Sequence, residues 1–120
     1  MTAKIVSAAV RKTIDLSAFP KKRFVTKMVG EENYRVEVLD AVARICGTKP
    51  SRELEPRFVT EAVEDASGGN DLLGDSQVPV VLVGTSFSRP DAAFNFSGFL
   101  SEMLEVDILN VAIPGGGLKT

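Results

Sequence analysis

The chain has 120 residues and a formal net charge of −2, with one tyrosine and no tryptophan. This charge balance and the scarcity of stacking side chains argue against a nucleic-acid partner. The length suits one domain, no apolar run approaches the roughly 20 residues of a membrane span, and one cysteine without histidine excludes a zinc cluster.

The N-terminal half predicts two helices separated by a less regular stretch. Apolar residues recur at helical spacing over residues 2–14 and again over 33–46, and Gly47 is suited to the position that follows a helix. Residues 23–29 alternate roughly between apolar and polar side chains, which predicts either a strand or a loop. Residues 48–56 contain two prolines and predict a loop. This helix-rich half is expected to be an insertion or a flap.

The C-terminal half predicts alternating strands and a helix. A short strand is expected at 57–63, a flexible turn at 66–71, and an apolar strand that ends at Val83. A helix over 94–105 and a strand over 107–113 follow. This strand–helix–strand order predicts an α/β fold with a parallel sheet flanked by helices.

Candidate functional residues follow both predicted parallel strands. Ser86 comes after the apolar run 80–83, which we expect to be buried on both faces, and Gly115–Gly117 follow the next strand. Ligands in such sheets bind beyond the carboxyl ends of the strands. A serine exposed at a sharp turn, with backbone N–H groups near a developing oxyanion, is suited to nucleophilic catalysis. From the spacing alone, however, a serine after a strand is more often a turn residue or a helix cap than a nucleophile.

Other motifs do not identify the chemistry. The glycines match neither a phosphate-binding P-loop nor GxGxxG, so no cofactor is expected. The hydrolase elbow GxSxG fails because Ser88 stands where its second glycine should be. Arg89 cannot serve as the base, since a guanidinium keeps its proton near neutral pH. The sequence therefore contains no residue that would activate Ser86.

Cys46 lies at the end of the second predicted helix and is the only cysteine, so it cannot form an internal disulfide. It is either a small buried hydrophobic residue or a cysteine without its partner. In both cases a free thiol is expected in the isolated chain.

Several stretches of the sequence resemble the alginate O-acetyltransferase family of the SGNH-hydrolase superfamily. The resemblance is carried by VVLVGTSFS, FNFSGFLSEML and DILNVAIPGGG in the last third of the chain, and by TAKIVSAAV near its start. GTS stands where the superfamily has its GDS block with the nucleophilic serine, and NVAIPGG resembles the block whose glycine donates an oxyanion-hole N–H. The resemblance implies a partial SGNH-hydrolase-like, flavodoxin-like sheet over residues 1–120, with Ser86 as the nucleophile.

The same resemblance accounts for the missing base. In this family an Asp-x-His motif precedes the helix that resembles residues 2–10, so the chain is expected to be an internal fragment. The implied chemistry is acetyl transfer onto hydroxyls of a mannuronate-containing polysaccharide through an acetylated Ser86. The implied oxyanion-hole donors are the amides of Ser86 and Gly115, with Gly116 as an alternative to Gly115. Arg89 and Asn95 are expected either to line the polymer groove or to be a solvated charge and a helix cap.

The implied partners are alginate, an acetyl donor that is a protein or a small molecule, and other proteins of alginate biosynthesis and secretion. The implied location is the periplasm, which would suit a disulfide at Cys46 whose partner lies outside the chain. Two alternatives remain open. One is a non-catalytic polysaccharide-binding or scaffold domain, and the other is an SGNH acetylesterase, because an acetyl-enzyme can be resolved by water or by a sugar hydroxyl.

Overall fold

A computed structural model describes residues 2–33, 37–48, 51, 53–63, 78–89, 92–113 and 115. Within these ranges the order of elements is α1 (Thr2–Thr13), β1 (Phe24–Asn33), α2 (Glu37–Cys46), β2 (Leu54–Ala62), β3 (Val80–Leu82), α3 (Phe96–Leu104) and β4 (Ile108–Asn110). The four strands form two separate two-stranded sheets. None of the described helices is long and apolar enough to cross a membrane.

Helix α1 forms where the periodicity predicts it and packs on α3. Ala3 and Ser7 are buried, and the Ser7 hydroxyl lies 3.7 Å from the sulfur of Met103. The Arg11 guanidinium donates a hydrogen bond of 2.6 Å to the Met103 carbonyl. After the helix, the Ser17 N–H donates to a carboxylate oxygen of Asp15 at 2.9 Å. Hydrogen bonds from the Ser17 side chain and backbone lower the pKa of Asp15.

Strands β1 and β2 pair antiparallel and, with α2 between them, form what we call the β1–α2–β2 arm, residues 24–62. The ladder has an irregularity between Met28 and Gly30, which oppose Phe58 and Arg57. The extra residue at this point is a β-bulge. The stretch 23–29, predicted as a strand or a loop, is a strand.

Two predicted boundaries in the arm are wrong. Asn33 belongs to β1 and pairs with Leu54, although it was expected to begin a helix. The expected loop over 48–56 is already strand from Leu54 onward, and Pro56 opposes Glu31 within the ladder. Proline is tolerated there because a two-stranded ribbon consists of edge strands, in which an N–H that faces solvent needs no partner.

Helix α2 lies at the far end of the arm and is largely exposed. Ile45, on the predicted apolar face, is 84% exposed. Cys46 is a free and exposed cysteine, so its interpretation as a small buried hydrophobic residue is wrong. The flexible turn predicted at 66–71 lies outside the described residues.

The strand–helix–strand prediction is confirmed, and we call residues 80–110 the β3–α3–β4 unit. Strands β3 and β4 are parallel, and Val80, Val81 and Leu82 lie opposite residues 108–110. Backbone pairing continues beyond the short strands. The N–H groups of Val111 and Ile113 donate to the carbonyls of Leu82 and Gly84, at 2.9 and 3.1 Å.

One face of this sheet carries the hydrophobic core. Leu16, Leu104 and Val106 are buried, and four partly buried side chains pack around them: Val10, Phe19, Val80 and Ile108. The opposite face is uncovered within the described chain. Its exposed side chains are those of Val81, Val83, Leu109, Val111 and Ile113. The expectation that the apolar run is buried on both faces is therefore wrong, because α1 and α3 cover only the inner face.

Helix α3 joins the arm to the β3–α3–β4 unit. The rings of Phe58 and Phe99 meet edge to face with centroids 5.2 Å apart. The Asn95 amide donates a hydrogen bond of 2.8 Å to the Thr60 hydroxyl. A Cβ built on Gly98 would lie within 3.0 Å of that hydroxyl. Only glycine allows α3 to approach β2 this closely.

Candidate active site

The candidate nucleophile lies in a turn directly after β3. Ser86 is exposed, and the turn is closed by a 3.0 Å hydrogen bond from the Ser88 N–H to the Thr85 carbonyl. The turn folds back over Gly84, where an added Cβ would lie 2.7 Å from the Ser88 Cβ. A side chain at position 84 would therefore displace the turn that carries Ser86.

The candidate oxyanion segment leaves the neighbouring strand at the same edge of the sheet. Ser86 and Gly115 are each two residues beyond the Ile113–Gly84 hydrogen bond, which joins the two chain segments at 3.1 Å. Gly115 is exposed and has a φ of +68°, a left-handed backbone conformation that favours glycine. Gly116, the alternative donor, lies outside the described residues. The roles of these residues in catalysis stay predictions.

Asn110 connects these two segments. Its amide nitrogen donates a hydrogen bond of 2.6 Å to the Ser88 carbonyl, and its amide oxygen accepts one of 3.0 Å from the Ala112 N–H. The side chain is half-buried at the end of β4. Both functional ends of one amide are thus bonded to the backbone, one on each side of the candidate site.

The two residues predicted as groove-lining lie in different surroundings. Arg89 is half-buried just after the Ser86 turn. Asn95 is buried at the N-cap position of α3 with a left-handed backbone, and its side chain makes no capping hydrogen bond. Its amide instead contacts Thr60, so the fold uses this side chain for packing between α3 and β2. Contact of either residue with a polymer stays a prediction.

An aromatic pair flanks the turn. The rings of Phe87 and Phe94 lie with centroids 6.4 Å apart, and both side chains are exposed, at 66% and 42%. Sequence reasoning did not assign either to the site. The signal that would have found Phe87 is its position next to a strand-end serine, outside the apolar run that forms the strand.

The described part of the chain holds no group of His, Cys, Asp or Glu residues that could bind a metal ion. The sequence contains no histidine. The described geometry therefore offers a serine and backbone amides without a general base. The sequence analysis did not assign Asn110 to the site. Its one visible signal was an amide side chain inside an otherwise apolar strand.

The parallel strand pair, with a serine turn beyond one strand and a glycine beyond the next, is the arrangement that the sequence resemblance predicted. The family description "SGNH hydrolase-like domain, acetyltransferase AlgX" matches residues 1–120, and the chain belongs to this family. The predicted α/β, SGNH-hydrolase-like fold is thereby confirmed.

The relatives are proteins of alginate biosynthesis. The chain is 42% identical over 120 residues to "Alginate biosynthesis protein AlgX" of Pseudomonas aeruginosa, covering 99% of the chain and 25% of that relative. It is 33% identical over 122 residues to "Probable alginate O-acetylase AlgJ" of Pseudomonas syringae pv. tomato, covering 98% of the chain and 30% of that relative. The solved structure of P. aeruginosa AlgX superposes with a TM-score of 0.77 at 36% identity, covering 98% and 25% of the two chains.

The chain spans about a quarter of the length of the AlgX relatives that it matches. The quarter includes the whole β3–α3–β4 unit and the arm, since the match extends over nearly all of the chain.

Proposed function

We propose that the chain is the nucleophile-bearing part of a longer alginate O-acetyltransferase. The observation that carries the proposal is the parallel pairing of β3 and β4, from which the Ser86 turn and Gly115 leave at one edge. Relatives named for alginate biosynthesis and O-acetylation support the choice of reaction and polymer. We infer that the protein works in the periplasm with other proteins of alginate biosynthesis and secretion.

In the proposed first step, the Ser86 oxygen attacks the carbonyl carbon of an acetyl donor. A histidine outside the chain takes the hydroxyl proton, and an aspartate orients its imidazole. The Ser86 and Gly115 amides, or that of Gly116, stabilise the oxyanion. When the intermediate collapses, the bond to the leaving group breaks and the leaving group receives the proton. Ser86 is then acetylated.

In the second step, a mannuronate hydroxyl attacks the acetyl-enzyme. The same histidine removes the proton of the sugar hydroxyl, the acetyl–Ser86 bond breaks, and the serine oxygen regains a proton. Water would give acetate by the same route, so an acetylesterase differs only in the second nucleophile. The solvent exposure of Ser86 supports access for a polymer as large as alginate.

The test uses the full-length polypeptide that contains the chain, incubated with an activated acetyl ester and mannuronate oligosaccharides. Mass spectrometry should find acetylated oligosaccharide with the parent protein and none above background with Ser86→Ala. Ser17→Ala, an exposed serine beyond α1, is the matched control and should keep full activity. The isolated 120-residue chain should show no turnover, because it lacks histidine.

Three results would contradict the proposal. Acetate release without acetylated sugar would indicate an esterase. Oligosaccharide binding with no Ser86-dependent chemistry would indicate a scaffold domain. Turnover by the isolated chain that depends on Ser86 would mean that a base other than histidine is present.

A further inference from the structure

One side chain holds the backbone on both sides of the candidate site. Asn110 donates to the Ser88 carbonyl at 2.6 Å and accepts from the Ala112 N–H at 3.0 Å. The first bond fastens the end of the turn that carries Ser86. The second fastens the segment that leads to Gly115.

The location of this amide is unusual for a strand. Asn110 follows Ile108 on the inner face of β4, where it lies opposite Leu82. Asparagine is disfavoured in strands, and an amide on an apolar face is costly unless its hydrogen-bonding groups have partners. Here both ends of the amide have backbone partners. Leucine or valine would suit the apolar face but would remove the partner of the Ser88 carbonyl and of the Ala112 N–H.

We propose that Asn110 is a positioning residue that sets the spacing between the Ser86 oxygen and the Gly115 amide. This inference rests on the proposed function of Ser86. The turn is fastened at two places: Asn110 holds its end, and the Gly84 carbonyl accepts the Ile113 N–H at its start. Ser86 lies between these two points and is itself exposed. The turn keeps its own bond from the Ser88 N–H to the Thr85 carbonyl without Asn110, so loss of the Asn110 bond loosens the turn relative to β4 and does not unfold it.

The chemistry of the amide allows its two contacts to be separated. Asn110→Asp keeps an acceptor for the Ala112 N–H but replaces the donor to the Ser88 carbonyl by a carboxylate oxygen, which that carbonyl repels. Asn110→Leu has a similar size and removes both contacts. Asn33→Asp, at an exposed position in the arm, introduces the same charge away from the site and is the matched control.

The test measures kcat and KM of the full-length polypeptide with a small activated acetyl ester. A displacement of about 1 Å in a catalytic group is expected to lower the rate by up to about 10²-fold. Asn110→Asp should therefore lower kcat by about 10- to 10²-fold with KM within about two-fold, because a small ester makes few contacts with the turn. Asn33→Asp should leave both constants unchanged. A kcat for Asn110→Asp within two-fold of the parent value would overturn the proposal.

A structural readout separates this inference from the proposed function. Amide hydrogen exchange should show the Ala112 N–H protected in the parent protein and in Asn110→Asp, and exposed in Asn110→Leu. The Ser86 amide should change its chemical shift in both variants. If Ser86→Ala proves active but these amide changes occur, the proposed function fails while Asn110 still organises the turn. Unchanged amides in both variants would overturn the positioning role itself.

Gly84→Ala provides a second route if the Asn110 variants do not fold. Its methyl group would overlap the Ser88 side chain, while the Asn110 side chain itself is unchanged. As for Asn110→Asp, we expect kcat to fall and KM to stay within about two-fold of the parent value. A Gly84→Ala protein with full kcat would show that the position of the turn does not matter for the reaction, and would overturn the proposal.

Discussion

Leu104 and Val106 of the β3–α3–β4 unit are completely buried, whereas none of the described residues of the β1–α2–β2 arm is buried. The unit is held by side-chain packing from α1 and α3 around its inner face. The arm is held by an antiparallel backbone ladder and by its packing against α3. The candidate nucleophile lies on the region with the core, where a fixed backbone can hold a serine and an amide at one edge.

This difference predicts where the chain is sensitive to change. Substitutions in the core of the unit should alter global stability and the site together. Substitutions on the arm should lower the free energy of unfolding only where the arm contacts α3. The sheet of the unit also has two unequal faces, so its outer side chains should behave like those of the arm.

The largest expected effect is that of Leu104→Ala. Leu104 is fully buried, and such truncations cost about 2–5 kcal/mol because the removed methyl groups leave a cavity. Denaturant unfolding of the chain measures this loss. The control Leu54→Ala removes the same atoms from a 63%-exposed arm position and should change the free energy of unfolding by about 0.5 kcal/mol or less. Equal losses at both positions would refute the contrast between the two regions.

An intermediate effect is expected at the contact between the regions. Gly98→Ala gains about 1 kcal/mol of helix propensity, but its methyl group would overlap the Thr60 hydroxyl and the Asn95 amide. Overpacking costs typically about 1–3 kcal/mol, so we expect a net loss of about 1 kcal/mol and faster hydrogen exchange in β2.

The neighbouring substitution Ser97→Ala is the control for helix propensity. It should raise the free energy of unfolding by about 0.5 kcal/mol, since alanine is the better helix former. If Gly98→Ala is stabilising to the same extent, then α3 does not need the close approach to β2, and the arm is attached by other contacts.

The smallest effect is expected on the outer face of the parallel sheet. Val81 is 55% exposed, so Val81→Thr should change the free energy of unfolding of the chain by about 0.5 kcal/mol or less. Val80, one residue earlier, packs against the core, and Val80→Thr should cost about 1–3 kcal/mol because it buries a hydroxyl. A large loss for Val81→Thr would mean that this face is covered in solution.

The sequence-based predictions of secondary structure were more accurate for the β3–α3–β4 unit and α1 than for the arm. Helices α1 and α3 and the parallel order of β3 and β4 were predictable, because helical periodicity and an apolar run are local signals. In the arm, Asn33 and residues 54–56 were assigned wrongly. Their strand state depends on pairing with each other across the intervening helix, which no local pattern reveals.

For the candidate site, the sequence predicted which residues lie there but not the side-chain contacts around them. Ser86 and Gly115 were predicted because residues that follow neighbouring parallel strands meet at one edge of the sheet. The contacts of Asn95 and Asn110 were not predictable, since an amide side chain can cap a helix, line a groove or bridge two loops. Thr60 and Ser88, their partners, are distant in sequence by 35 and 22 positions.

The sequence by itself determined the fold class, the family and the order of the elements that carry the candidate site, because periodicity, strand-end residues and quoted motifs are all local properties. Only the tertiary structure decided which face of the sheet is covered, that Cys46 is exposed, and that one amide joins the Ser86 turn to the Gly115 segment. These features arise from contacts between residues far apart in the chain, and such contacts form only when the helices and strands have packed.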